Sequence, residues 1–321
     1  MFMLKHSKLG NFEIFDAHTH FFSHRFFSLL ALQSQKLANL PDAVAEIGKI
    51  TGLKMPPKDP KQFAAEWVAE LDRHQISRAM MMASLPGDED SVAAAVEAFP
   101  DRITGGFFFN PTISDALNRA DRAFDELNLK VICLFPAMHC YSVGDDENVR
   151  MIARLVAERP GTAIFVHCGA LSVGIRTKLG IPSRFDIRKS SPLEVHKLAV
   201  EFPEVNFIIP HFGAGLFVET MMAAELCLNI YIDTSSSNRW MEYFPHELTL
   251  AGVFNRALKL LGPKRLLFGT DSSFFPRGWN AAILDAQLDA LAAVGLSSEE
   301  IADILGGNLR RLLGESSNLS Q

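Results

Sequence analysis

Apolar and polar positions along this chain fall into two alternating patterns. Short apolar runs bounded by Gly, Pro, Asn or Asp read as buried strands, and stretches with apolar residues three or four apart read as helices. The first run, Ile14 to His20, is an apolar strand ending in two histidines one residue apart. A mixed stretch follows to about residue 62, with turn residues Pro41, Gly52, Pro56 and Pro57. It is too long for a simple connection and reads as an insertion over residues 21–62 that carries short helices above the strand end. Its phenylalanines are expected to pack the insertion; His24 fits either packing or a pocket wall.

From residue 61 the periodicity sharpens. Phe63, Trp67 and Leu71 predict a helix ending at Arg73 and His74, where a cation is favoured, so His74 reads as structural. Further strands are predicted over 78–83, 103–109, 131–135, 163–169, 205–211, 230–233 and 265–271. Helices are expected over 90–99, 117–127, 147–159, 192–202, 217–227, 248–261, 281–294 and 298–313, the last capped by Ser297 or Ser298 with Glu300 in its first turn. Eight strands alternating with helices imply an α/β fold, a (β/α)8 TIM barrel in a single domain spanning 1–321. A doubly wound open sheet is the rival. It would place a Gly-rich phosphate turn after the first strand, and none is there.

In a barrel, functional side chains gather where the strands end. Here those ends carry His18 and His20, His167, His211 and Asp271, which meet at one mouth only if the barrel closes. His18 and His20 share a strand face, because alternate residues point the same way. Three imidazoles (His18, His20, His167) and the Asp271 carboxylate make a metal set suited to one divalent ion, Zn²⁺ first, with Mn²⁺, Co²⁺ and Fe²⁺ also compatible. Such an ion lowers the pKa of bound water to about 7. Asp271 would then serve as ligand and proton acceptor, with His211 as proton shuttle or orienting group. Each histidine taken alone is more often a hydrogen-bonded core residue; it is the recurrence at strand ends that favours chemistry.

Composition narrows the class. Of 321 residues 48% are hydrophobic, ample for a large core, and the net charge of -6 with pI about 5.9 lacks the basic footprint of a nucleic-acid binder. No run approaches membrane-span length, and the polar N-terminus has no apolar signal region. Four scattered cysteines (Cys133, Cys140, Cys168, Cys227) fit free thiols in a reducing cytoplasm.

The chain resembles the amidohydrolase superfamily, and within it the amidohydrolase-related branch that includes aminocarboxymuconate semialdehyde decarboxylase. The resemblance rests on Phe15-Asp16-Ala17-His18-Thr19-His20, Phe165-Val166-His167-Cys168-Gly169, Pro210-His211-Phe212-Gly213-Ala214-Gly215 and Leu267-Phe268-Gly269-Thr270-Asp271, and runs nearly end to end. It implies one catalytic divalent metal, usually zinc, on His18, His20, His167 and Asp271, with His211 as base or water-orienting group. It also implies oligomers, commonly homodimers. Two-metal relatives carry a bridging lysine on the fourth strand. Here that strand has Cys133, and Phe135 where relatives often have histidine, so a single metal is expected. A buried strand cysteine is more often inert than a ligand.

The substrate expected is a small, carboxylated organic molecule. Arginine matches a carboxylate bidentately. Arg239 and Arg277 rank first for that role, ahead of Arg176, Arg184 and Arg188 in the long segment 170–191, which reads as a lid. His139 is expected to face the pocket, and Phe212, Phe274, Phe275 and Trp279 fit either an aromatic wall or packing. Three functions follow: hydrolysis through a metal-bound water, non-oxidative decarboxylation in the same site, or a catalytically silent metal-binding barrel. The site residues do not separate the first two; silent barrels of this type usually lose a ligand residue, and all are present.

Overall fold

In the computed structural model, which describes residues 3–236 and 238–315, the strand Phe15–His20 (β1) begins a parallel sheet. It continues in sequence order through Arg78–Ala83 (β2), Ile103–Phe109 (β3), Val131–Leu134 (β4), Ala163–Val166 (β5), Asn206–Ile209 (β6), Ile230–Asp233 (β7) and Leu266–Leu267 (β8). Each strand is followed by helix, so the architecture is the expected (β/α)8 TIM barrel. A short antiparallel hairpin, Lys5–Ser7 against Gly10–Phe12, precedes it and was not anticipated.

Period-two alternation divides the buried residues into two cores. Phe15, Ala17, Met80, Met82, Phe108, Val131, Cys133, Phe165 and Ile208 fill the barrel, and Leu309, Leu312 and Leu313 of the last helix close its floor. The residues between them, such as Ala79, Met81, Ile132, Leu134, Ile164, Phe207 and Ile232, face the helices.

Closure departs from the expected regular strand over 265–271. Only Leu266–Leu267 pairs regularly, with β7, while the segment beyond it closes the barrel against β1. Ala17 N–H donates to Phe268 O (2.8 Å), Asp271 N–H to His18 O (2.9 Å) and His20 N–H to Ser272 O (2.8 Å). The physical reason is Asp16, whose carboxylate takes two backbone donors, His18 N–H at 2.9 Å and Thr270 N–H at 3.1 Å. β1 shifts register between Asp16 and Thr19, a β-bulge. Without it, a strand with Phe15 and Ala17 inward would also turn Thr19 inward; the extra residue re-aims His18 and His20 into the barrel instead.

The insertion carries helices His24–Leu32 and Ala43–Thr51 and ends at Asp59, the N-cap of helix Pro60–His74. It has its own small core: Phe26, Phe27, Leu30, Val44 and Ile47 pack on Ile175, Leu179 and Ile181 of the segment after β5. Insertion and segment form one cap over the mouth. His24 begins the first cap helix and His74 ends the 60–74 helix, pairing with Glu70 at 3.3 Å. The predicted C-terminal helix is capped by Ser297, in a reciprocal box with Glu300, and is interrupted by a π-turn at Asp303–Gly307. Among the described residues no helix is long and apolar enough to cross a membrane.

Candidate metal centre

The β1 bulge delivers His18 and His20 to the mouth, and the β8 exit delivers Asp271. His20 Nε2 lies 3.1 Å and His18 Nε2 3.6 Å from Asp271 Oδ1. One ligand atom from each of the three falls within 4.8 Å of the others, the spacing of a shared ion. Their remote nitrogens are already engaged: His18 Nδ1 with Asp233 Oδ2 at 2.6 Å, and His20 Nδ1 with Ser84 Oγ at 2.7 Å. A histidine whose far nitrogen is anchored this way presents the other as a lone pair.

His167 follows β5 and stands outside that triangle, its ring 5.2 Å from the His211 ring. It is buried, and its Nδ1 has no hydrogen-bond partner among the described residues. A buried orphan imidazole nitrogen beside the Nε2 atoms of His18 and His20 and a carboxylate is the donor chemistry of a zinc-type site, so the residues fit the metal. Burial, then the neighbouring His211 and His18, holds His167 well below the usual histidine range, hence neutral as a ligand must be. Burial opposes the charged form of Asp271 too. The hydrogen bond from His20 and the charges of His18 and His211 outweigh it and keep the carboxyl below its ordinary range.

His211 begins a backbone feature that no periodicity announces. His211 to Gly215 all have positive φ, from 45° to 101°, a left-handed run straight after β6. Asp271 has φ 58° as well. Non-glycine residues in this region cost on the order of 1–3 kcal/mol each and cluster at functional sites. The run is held from outside: Ala170 N–H donates to Ala214 O at 2.9 Å, and Gly169 passes so close that an added Cβ would lie 2.1 Å from Gly213 O.

The family model described as Amidohydrolase matches residues 15–314. This chain belongs to the amidohydrolase family. No curated protein matches it. Among solved structures, an uncharacterised TIM-barrel protein from Bordetella bronchiseptica superposes with TM-score 0.62 at 17% identity, covering 94% of this chain and 98% of that one. A Pseudomonas putida protein assigned as a 2-pyrone-4,6-dicarboxylic acid hydrolase gives 0.58 at 16%, covering 94% and 98%. The 4-oxalomesaconate hydratase of Rhodopseudomonas palustris gives 0.58 at 16%, covering 94% and 95%. At such identities the likeness is one of fold.

In this amidohydrolase the centre opens into a cavity of about 740 Å³, a size that takes a small organic ligand. Arg239, Arg277 and Arg176 line it; Arg184 and Arg188 do not. Arg277 Nη2 donates to Ser273 Oγ at 2.8 Å, and Arg239 Nε faces Glu242 at 3.3 Å. Arg176 ties the segment after β5 to the insertion through Gln33 Oε1 at 2.7 Å. His139 does not reach the wall, contrary to expectation. The single-turn helix Pro136–His139 presents Met138 there instead, and burial pushes His139 down to about 4.

Of the four aromatics that fitted either a wall or packing, Phe274 lines the cavity and the other three pack. Phe212 packs on Phe254 and Trp240, Phe275 on Trp67, and Trp279 Nε1 donates to Asp16. Instead Phe22 lies between His20 and Phe274, and Phe108 and Phe135 meet at 3.9 Å. Cys133 stays inside the barrel, 3.2 Å from Met82 Sδ, with burial pushing its thiol well up: an inert position. Asp233, Ser235 and Ser84 were missed by the sequence reading. Their only signal was a polar residue just where an apolar strand stops.

Proposed function

We propose that this chain is a metal-dependent hydrolase acting on a small, carboxylated organic substrate. The observation that carries the reading is the meeting of His18 Nε2, His20 Nε2 and Asp271 at one mouth, with His167 beside them. These four residues would hold one divalent ion, zinc by preference. Such an ion, when bound, supplies a Lewis acid for an acyl oxygen and makes water a stronger nucleophile. The protein's own residues then handle protons. Asp271 accepts one from the attacking water, and His211, facing the same cavity, takes it up on Nε2 and passes it to the leaving group. Hydrolysis needs two such transfers, and the presence of two groups supports it over a reaction that needs one. Arg277 and Arg239 supply the carboxylate contact, and the hydrolase and hydratase of similar fold are both named for carboxylate substrates. Phe22, Phe108, Phe135 and Phe274 exclude water around the reacting centre. The four free cysteines fit a reducing cytoplasmic setting.

Elemental mass spectrometry of wild type and a His18→Ala/His20→Ala variant tests the centre: about one zinc or similar ion per chain, lost in the variant, is expected. Lactones and esters bearing a carboxylate should then be cleaved, with KM raised at least tenfold in Arg277→Ala. Release of carbon dioxide in place of hydrolysis would assign the site to a carboxy-lyase, and an ion-free wild type inactive with zinc, manganese or cobalt would overturn the metal reading.

A further inference from the structure

Asp233 ends β7, Ser235 follows two residues later, and both are fully buried beside His18 and His211. Asp233 Oδ1 accepts from Ser235 N–H at 2.7 Å, while Oδ2 lies 2.6 Å from His18 Nδ1 and 2.9 Å from Ser235 Oγ. Ser235 Oγ is in turn 3.0 Å from His18 Nδ1 and 2.9 Å from His211 Nδ1. A second acceptor, the Ser235 carbonyl, stands 3.3 Å from the same His211 nitrogen.

The donors and acceptors in this cluster have one consistent assignment. A carboxylate oxygen and a carbonyl oxygen only accept, and a serine hydroxyl has a single hydrogen with two lone pairs. Ser235 therefore gives its hydrogen to Asp233, and both imidazoles approach as Nδ1–H donors. The reverse arrangement, a bare His211 Nδ1 facing the Ser235 carbonyl, would set two lone pairs against each other in a buried site, where an unmade hydrogen bond costs about 1–3 kcal/mol.

We propose that Ser235 is a positioning residue that holds His211 as the Nδ1–H tautomer, leaving its Nε2 lone pair for the proton that the reaction moves. Asp233 thereby orients two histidines, His18 directly and His211 through one hydroxyl. The consequence for turnover rests on the functional reading above; the tautomer does not.

The test is long-range ¹H–¹⁵N correlation NMR on ¹⁵N-histidine-labelled, zinc-supplemented protein, with the His211 ring assigned by loss of its signals in His211→Gln. Wild type should show His211 protonated at Nδ1 and bare at Nε2. Ser235→Ala removes the 2.9 Å acceptor and leaves His211 Nδ1 only the longer carbonyl contact, so the ring should become a mixture of the two tautomers, and Ser235→Thr should restore it. On a cleaved substrate, Ser235→Ala should lower kcat about 10–100-fold, with KM within twofold and zinc content unchanged. Wild-type His211 protonated at Nε2, or a Ser235→Ala ring unchanged from wild type, would overturn the proposal. Because the wild-type spectrum needs no substrate, an enzyme without hydrolytic turnover would count against the functional reading alone.

Discussion

Asp16 is the residue on which the centre depends without taking part in it. Its carboxyl accepts from His18 N–H, Thr270 N–H, the Thr270 hydroxyl and Trp279 Nε1, and burial pushes it up to about 6 despite those bonds. It supplies the backbone partners that the bulge would otherwise leave unmade, so His18 can turn inward. Gly169 has the converse role of leaving room. With φ 73° and the Gly213 and Ala214 carbonyls against it, it lets the β5 exit brace the left-handed turn of His211. Gly169→Ala should lower stability by about 2 kcal/mol or more, read by urea denaturation, because a side chain there adds both a strained φ and a clash with backbone. Full stability would mean that the two loops do not brace each other.

At the scale of elements, the cap is joined to the barrel by Asp88, which lies between two helix starts. Ser23, the N-cap of helix His24–Leu32, donates to its carboxyl at 2.7 Å, and Ser91 of helix Glu89–Ala98 at 2.6 Å. Burial pushes Asp88 up to about 7, against those two bonds and with Glu89 adding to the rise. Folded chains then keep this proton up to about pH 7, whereas unfolded chains lose it near the ordinary 3.8. Between those values the folded state binds more protons, so this group's contribution to stability falls as pH rises, by up to about 4 kcal/mol. Asp88→Asn, a neutral stand-in for the protonated carboxyl, should raise stability by roughly 1–2 kcal/mol at pH 5 and by up to about 4 kcal/mol at pH 8. Urea midpoints at the two pH values decide it; an equal effect at both would show that Asp88 does not titrate in this window.

For the whole molecule, the barrel is closed at both ends by parts of the chain far from its strands. The cap covers the mouth, and Leu309, Leu312 and Leu313 plug the floor. Leu309→Ala should cost about 2–5 kcal/mol, because the floor is bounded by strands that cannot collapse into the space. Its metal content should stay at the wild-type level, since the centre sits at the other end; loss of metal together with stability would show the two ends to be coupled.

Much of this was legible in the sequence. Short apolar runs between helical stretches marked eight strands, because a parallel sheet covered on both faces needs apolar residues on both. His18, His20, His167, His211 and Asp271 stood out because each ends such a run. What the sequence by itself determined was this set of strands, their order and the residues at their ends: local information, carried by periodicity and by the need to bury apolar side chains. Only the tertiary structure decided which way those residues point and what holds them. The inward turn of His18 requires a bulge filled by Asp16 with help from Thr270 and Trp279, and the anchoring of His18 and His211 requires Asp233 at the end of β7 and Ser235 just after it. The left-handed turn of His211 needs Gly169 from the neighbouring strand. Each of these is a contact between residues far apart in the chain, set by barrel closure and by the demand that every buried donor and acceptor find a partner, and no local pattern encodes it.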